Sequence, residues 1–106
     1  MKESKFQAEL IVELKQRFKG AIVLKNDPNY IQGMLDLTIL YKDRWAALEV
    51  KASADAPRRP NQDYYVNLMD DMSFAAFICP ENKDSVIDGL QRTFSPHRSS
   101  RVSQRQ

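Results

Sequence analysis

The stretch around which this chain is organised is residues 33–51, Gly33-Met-Leu-Asp36-Leu-Thr-Ile-Leu-Tyr-Lys-Asp-Arg-Trp-Ala-Ala-Leu-Glu49-Val-Lys51. Residues 36–40 alternate polar and apolar in the manner of a strand, and residues 45–51 do so again. Between them, Tyr41-Lys-Asp-Arg44 is polar and short enough for a hairpin turn. With Lys42 and Asp43 at the tip, the register follows by counting. Tyr41 faces Arg44, Leu40 faces Trp45, Ile39 faces Ala46, Thr38 faces Ala47 and Leu37 faces Leu48. The next pair is Asp36 and Glu49.

Directly opposed residues share a face, with Cβ atoms about 5 Å apart. Lys51 lies two residues beyond Glu49 and points the same way. One surface therefore gathers two carboxylates and an ammonium at one end of a hairpin: Asp36, Glu49 and Lys51, with Thr38 and Ala47. The opposite face, Leu37, Ile39, Leu48 and Val50, is apolar and suited to packing on helices. Like charges directly opposed weaken a strand pair, and a divalent cation held between them reverses that effect. The alternative is a solvated strand end with a surface Lys–Glu pair. The local pattern leaves both open.

The 106 residues suit one small domain with one core. No apolar run approaches the roughly 20 residues of a membrane span. The opening Met-Lys-Glu-Ser-Lys is charged with no apolar stretch after it, which predicts no signal peptide. Cys79 is the single cysteine, so no internal disulfide forms, in keeping with a reducing, cytoplasmic setting. The net charge of +2 is unevenly spread. Arg92, Arg98, Arg101 and Arg105 close the chain without an acid, and subtracting these four from +2 leaves −2 on the remainder. An acidic body with a basic tail argues against a protein that simply coats DNA. It suits an enzyme that concentrates carboxylates around a cation and recruits phosphates at its edges.

Residues 4–18 read as an amphipathic helix: Phe6, Leu10, Leu14 and Phe18 recur every four residues, with Ile11 beside them. Ser4 is placed to cap it and Gly20 to stop it. Glu9 and Glu13 stack one turn apart on its flank; each is a candidate for the hairpin carboxylates or for a solvated helix face. Residues 21–25 form a short β-rich run and residues 26–30 a loop of turn formers. After the hairpin, residues 52–60 form a loop carrying Arg58 and Arg59. A helix follows from Pro60 to about Met69, with Pro60 in its first position and Gln62 in its first turn. Residues 73–79 are a continuous apolar run, suited to a strand buried on both faces. A second amphipathic helix covers 82–92, with Gly89 an unfavourable residue inside it. Residues 1–94 make the domain, and 95–106 form a basic, flexible tail too poor in apolar residues to fold. His97 stands alone in that tail, and Cys79 reads as a core residue. The chain shows no repeat, no glycine-rich phosphate loop and no zinc-ligand spacing. The predicted fold class is α/β: a mixed central sheet, a three-stranded meander plus one crossover strand, flanked by helices.

The set Glu9, Gly33-Met-Leu-Asp36, Glu49-Val-Lys51 and Gln62, in that element order, resembles the PD-(D/E)XK nuclease superfamily, closest to its virus-type replication–repair (VRR-NUC) branch. That branch has a glutamate early in the first helix, a G-x-P-D segment opening the second strand, an E-x-K strand, and a glutamine at the start of the next helix. The resemblance covers roughly residues 6–78 and favours Glu9 over Glu13. One position departs from it: Leu35 stands where the family has proline, which would set a turn into the strand.

The resemblance implies a restriction-endonuclease-like core and a Mg2+-dependent endodeoxyribonuclease, with Mn2+ able to substitute. Asp36, Glu49 and the Val50 backbone carbonyl would hold the metal. Lys51 would orient or deprotonate the attacking water, or steady negative charge on the phosphate. Glu9 would complete a second metal position or act through a water, and Gln62 would orient the water or Lys51. By similarity to small phage and archaeal Holliday junction resolvases, the implied substrate is branched or double-stranded DNA and the implied state a homodimer, in the host cytoplasm if phage-encoded. Lys25, Arg44, Arg58, Arg59, Arg98 and Arg101 are the candidate phosphate contacts. The alternatives are a monomeric general or flap-type nickase and a catalytically inactive DNA-binding module of the same fold.

Overall fold

The computed structural model describes residues 2–95. The hairpin forms with the counted register. β2 (Leu37–Tyr41) and β3 (Arg44–Val50) pair antiparallel, from Tyr41 opposite Arg44 to Leu37 opposite Leu48. Lys42 takes the left-handed conformation at the tip, φ 57°. The preceding β1 (Ile22–Lys25) adds antiparallel to β2, and β4 (Ala75–Ile78) adds parallel to β3. The result is a four-stranded mixed sheet in the order β1-β2-β3-β4. Three helices flank it: α1 (Glu3–Arg17), α2 (Gln62–Met72), which makes the β3-to-β4 crossover, and α3 (Lys83–Phe94).

The two faces of the sheet are covered unequally. Leu37, Ile39, Leu48 and Val50 are fully buried against Phe6, Leu10 and Leu14 of α1 and Val86, Ile87 and Leu90 of α3. Burying each such side chain contributes roughly 1.5–3 kcal/mol before entropy is counted. On the opposite face α2 packs on β3 and β4, enclosing Leu35, Ala47, Val66 and Ala75. The β1–β2 half of that face keeps Ile22, Leu24 and Leu40 exposed.

Element ends differ from the sequence-based expectation for local reasons. α1 starts at Glu3, with Lys2 in the cap position and its carbonyl accepting from the Phe6 N–H, so Ser4 lies within the first turn and caps nothing. α2 starts at Gln62 because Asn61 is left-handed, φ 70°, and Pro60 stays outside the helix. It runs on to Met72 and closes where the Ser73 N–H donates to Met69. Ser73 and Phe74 thus belong to the connection, and β4 is shorter than residues 73–79 suggest. Ala75 and Ile78 are buried and Ala76 and Phe77 half-buried, as suits an edge strand. α3 reaches Phe94, whose ring packs edge-on to Phe18 at 5.2 Å between centroids. Gly89 has a packing reason: a Cβ there would lie 2.6 Å from the Phe74 ring. His97, Arg98, Arg101 and the rest of the basic tail lie outside the described residues, apart from Ser95.

Candidate active site

Regular pairing between β2 and β3 stops at Leu37 and Leu48, and beyond it side chains replace the ladder. Asp36 donates its backbone N–H to Glu49 Oε1 (3.2 Å), and its own Oδ2 accepts the Val50 N–H (2.9 Å). The Asp36 carbonyl accepts from Asn26 N–H at 2.8 Å. The Asn26 side chain donates to the Leu35 carbonyl (2.8 Å) and to Thr38 Oγ1 (2.9 Å). Asp36 is therefore held from both flanks. In the sequence Asn26 reads only as a turn former, and its place before a short Asp-Pro-Asn loop gives no sign of this second role.

Glu49, only 1% exposed, is the centre of a buried polar network. Its Oε2 accepts from Gln62 Nε2 at 2.6 Å and lies 3.9 Å from Lys51 Nζ. Gln62 Oε1 in turn accepts from Lys51 Nζ and from the Arg59 backbone N–H, each at 2.8 Å. Those two donors dictate the orientation of the amide and aim its NH2 at Glu49. Lys51 completes its contacts with the Pro57 carbonyl at 3.1 Å. Burial pushes the Glu49 carboxyl up to about 7, with the nearby Asp36 charge adding to the rise; Lys51, the Asp36 N–H and Arg59 oppose it. Gln62 reaches this network because α2 opens against the loop before Asp36. Gly33, at φ +90°, sits so close to Asn61 that a Cβ would be 2.6 Å from the Asn61 Cβ.

Asp36, Glu49, Lys51 and Gln62 thus come together, and Glu9 does not join them. It is exposed on α1 and lines a separate cavity of about 160 Å³ with Phe6, Leu10, Glu13, Pro80 and Lys83. There Glu13 accepts from Lys83 Nζ at 2.9 Å, which raises the Lys83 ammonium above its ordinary range. Among the described residues no three His, Cys, Asp or Glu side chains gather into one ligand group.

The basic candidates also separate. Lys25 ends β1, exposed and paired with Leu37, and so shares the face opposite to Asp36. Arg59 lines a cavity of about 140 Å³ with Asp36, Gln62, Gly33 and Pro28. Arg58 pairs with Asp63 at 2.5 Å and lies over the Phe77 ring, 3.9 Å from its centroid. Arg44 is at the tip end of the hairpin, away from the carboxylates. Its guanidinium donates to the carbonyls of Thr93 and Ser95, tying the hairpin to the end of α3.

The donor set fits a hard divalent cation such as magnesium. It comprises two carboxylates and the Val50 carbonyl, which faces the Asp36 side because the N–H of the same residue does. Burial first, and the Asp36 charge second, raise the Glu49 carboxyl, and the opposing charge of Lys51 does not offset them. In comparisons with protein-family models, curated proteins and solved structures, nothing matches this chain.

Proposed function

We propose that this chain is a metal-dependent, structure-selective DNA endonuclease of the PD-(D/E)XK type, acting as a homodimer on Holliday junctions. The observation that carries the reading is the locked cluster of Asp36, Glu49, Lys51 and Gln62 at one end of the β2–β3 hairpin. A buried carboxylate, ammonium and amide assembled around a half-buried Asp36 do little for stability that an apolar cluster would not do better. They suit a site whose charge is completed by a ligand.

Asp36, Glu49 and the Val50 carbonyl would hold magnesium, which supplies Lewis-acid stabilisation of the phosphate and of the attacking water. Lys51 carries its positive charge beside Glu49, where it steadies negative charge building on the phosphate. Gln62 is a positioning residue: it keeps Lys51 and Glu49 in fixed relation through one amide. Arg59, which lines the cavity with Asp36, is placed to meet a flanking phosphate; Lys25, which shares a face with Leu37 on the other side of the sheet, is not. Nor is Arg44, spent on α3.

The exposed apolar residues favour the dimer over a monomeric nickase. Ile22 opposes Leu40 in the sheet, so both share a face with Leu24; they are 56%, 38% and 44% exposed. Tyr64, Leu68 and Met72 form an exposed stripe along α2, the helix packed on the other half of that face. A grouping of this kind on a small domain is typical of an association surface.

The test is cleavage of a synthetic four-way junction with magnesium, beside linear duplex and single-stranded controls, for wild type and Asp36→Asn. Symmetric nicks in the junction alone, lost in the variant, are the expected result. Equal cutting of all three DNAs keeps the site and removes the junction preference. No cutting with magnesium or manganese leaves a DNA-binding module.

A further inference from the structure

Two cavities border the polar network of Asp36, Gln62 and Lys51, and the proposed reaction uses only one of them. On the Asp36 side lies the cavity shared with Arg59 and Gln62. On the β4 side lies a second, of about 190 Å³, whose lining includes Lys51, Ser53, Ala56, Arg58, Phe77 and Asn82. The sheet register explains the placement. Phe77 lies directly beside Glu49 in the parallel β3–β4 pair, so its ring is on the same face as the carboxylate.

The walls of this second cavity suit a flat, uncharged ring. Phe77 and the guanidinium stacked over it offer π surfaces, and Ala56 and its neighbour Ala54 leave the space open. Asn82 holds the aromatic segment in place: its Nδ2 donates to the Phe77 carbonyl and its Oδ1 accepts the Cys79 N–H. Arg58 is half exposed, and its ion pair is with the exposed Asp63, so it can shift on the Phe77 ring to admit a ligand. The volume is below the roughly 300–1,000 Å³ of pockets that enclose drug-sized molecules, and so takes one ring system, not a whole nucleotide. Charge separates this cavity from the one on α1, where Glu9 and Glu13 would repel a phosphate chain.

We propose that the cavity lined by Lys51, Ala56, Arg58 and Phe77 receives an unpaired nucleobase of the DNA next to the scissile phosphate. The inference rests on the nuclease reading and deepens it. Continuous duplex keeps its bases stacked and cannot fill the cavity without the cost of flipping a base out. A branch point, flap or single strand offers an unstacked base freely. The cavity would therefore make the enzyme select DNA by local unpairing, with Arg58 and Phe77 as the stacking platform.

The test is binding, read in EDTA so that cleavage plays no part. Fluorescence anisotropy compares a labelled oligodeoxyadenylate with an abasic strand of equal length and charge. Wild type is expected to prefer the base-bearing strand by about ten-fold or more, the size of one base–aromatic stack. Ala56→Phe fills the cavity, and Arg58→Lys keeps the charge but removes the plane. Each is expected to erase the preference, the ratio of the two affinities being the readout. Equal binding of both strands by wild type, or a preference that survives both substitutions, overturns the proposal. A protein that shows the preference but cuts no DNA sinks the nuclease reading and keeps the pocket; one that cuts junctions without the preference does the reverse.

Discussion

Glu49 makes the metal-free protein less stable as pH rises, and the effect can be isolated. The carboxyl ionises near 4.5 in the unfolded chain and near 7 in the folded one. Between those values the folded state keeps a proton that the unfolded state has lost, so stability falls as pH climbs through this window. At 1.36 kcal/mol per unit, the loss is about 3 kcal/mol, complete a little above pH 7. Glu49→Gln removes the ionisation. It also costs a hydrogen bond, because Oε1 and Oε2 both accept from donors and an amide supplies one acceptor only. That cost is independent of pH, so the slope and not the absolute stability is the readout. Urea unfolding followed by the fluorescence of the single tryptophan, Trp45, between pH 5 and pH 8 measures it. The wild-type midpoint is expected to drop across this range by about 1–3 M urea more than that of the variant, from typical denaturant slopes. Contributions from Glu81, lowered by hydrogen bonds, and from Lys83 are common to both proteins and cancel. Parallel curves for the two proteins would refute the account of Glu49 as a carboxylate ionised against burial and Asp36.

Three further outcomes follow from the same geometry. Millimolar magnesium is expected to raise the wild-type Tm at pH 8, by an amount equivalent to about 2.7 kcal/mol at a hundred-fold excess over Kd; calorimetry on Asp36→Asn should show no such rise. Lys51→Met leaves Glu49 buried without its cation, so chemical denaturation should find a loss of about 3–5 kcal/mol at pH 8 and a smaller one at pH 5. Gly89→Ala improves helix propensity yet sets a methyl 2.6 Å from Phe74, and the net effect in thermal melts should be a loss of about 1–3 kcal/mol.

Much of the fold was legible because it is written in short periods. The alternation in residues 36–51 and the two-residue polar tip admit one register, since a slip by one residue would turn Leu37, Ile39, Leu48 and Val50 out of the core. The four-residue spacing of Phe6, Leu10, Leu14 and Phe18 likewise sets which side of α1 is buried. Element ends were less legible. The left-handed Asn61 that delays α2 packs against Gly33, nearly thirty positions earlier, and no local propensity reports that contact.

The candidate site divides along the same line. The sequence by itself determined that Asp36, Glu49 and Lys51 share one end of one hairpin face, because strand periodicity and turn length are local properties. Only the tertiary structure decided what those groups experience. It brought the start of α2 over Glu49, so that Gln62 bridges Glu49 and Lys51 and the carboxyl is forced up to about 7. It placed Glu9 in a cavity with Glu13 and Lys83, committed Arg44 to the end of α3, and opened one cavity lined by Asp36 and Gln62 and another lined by Lys51. Desolvation and long-range contact depend on which distant segments pack together, and that is a property of the whole folded chain.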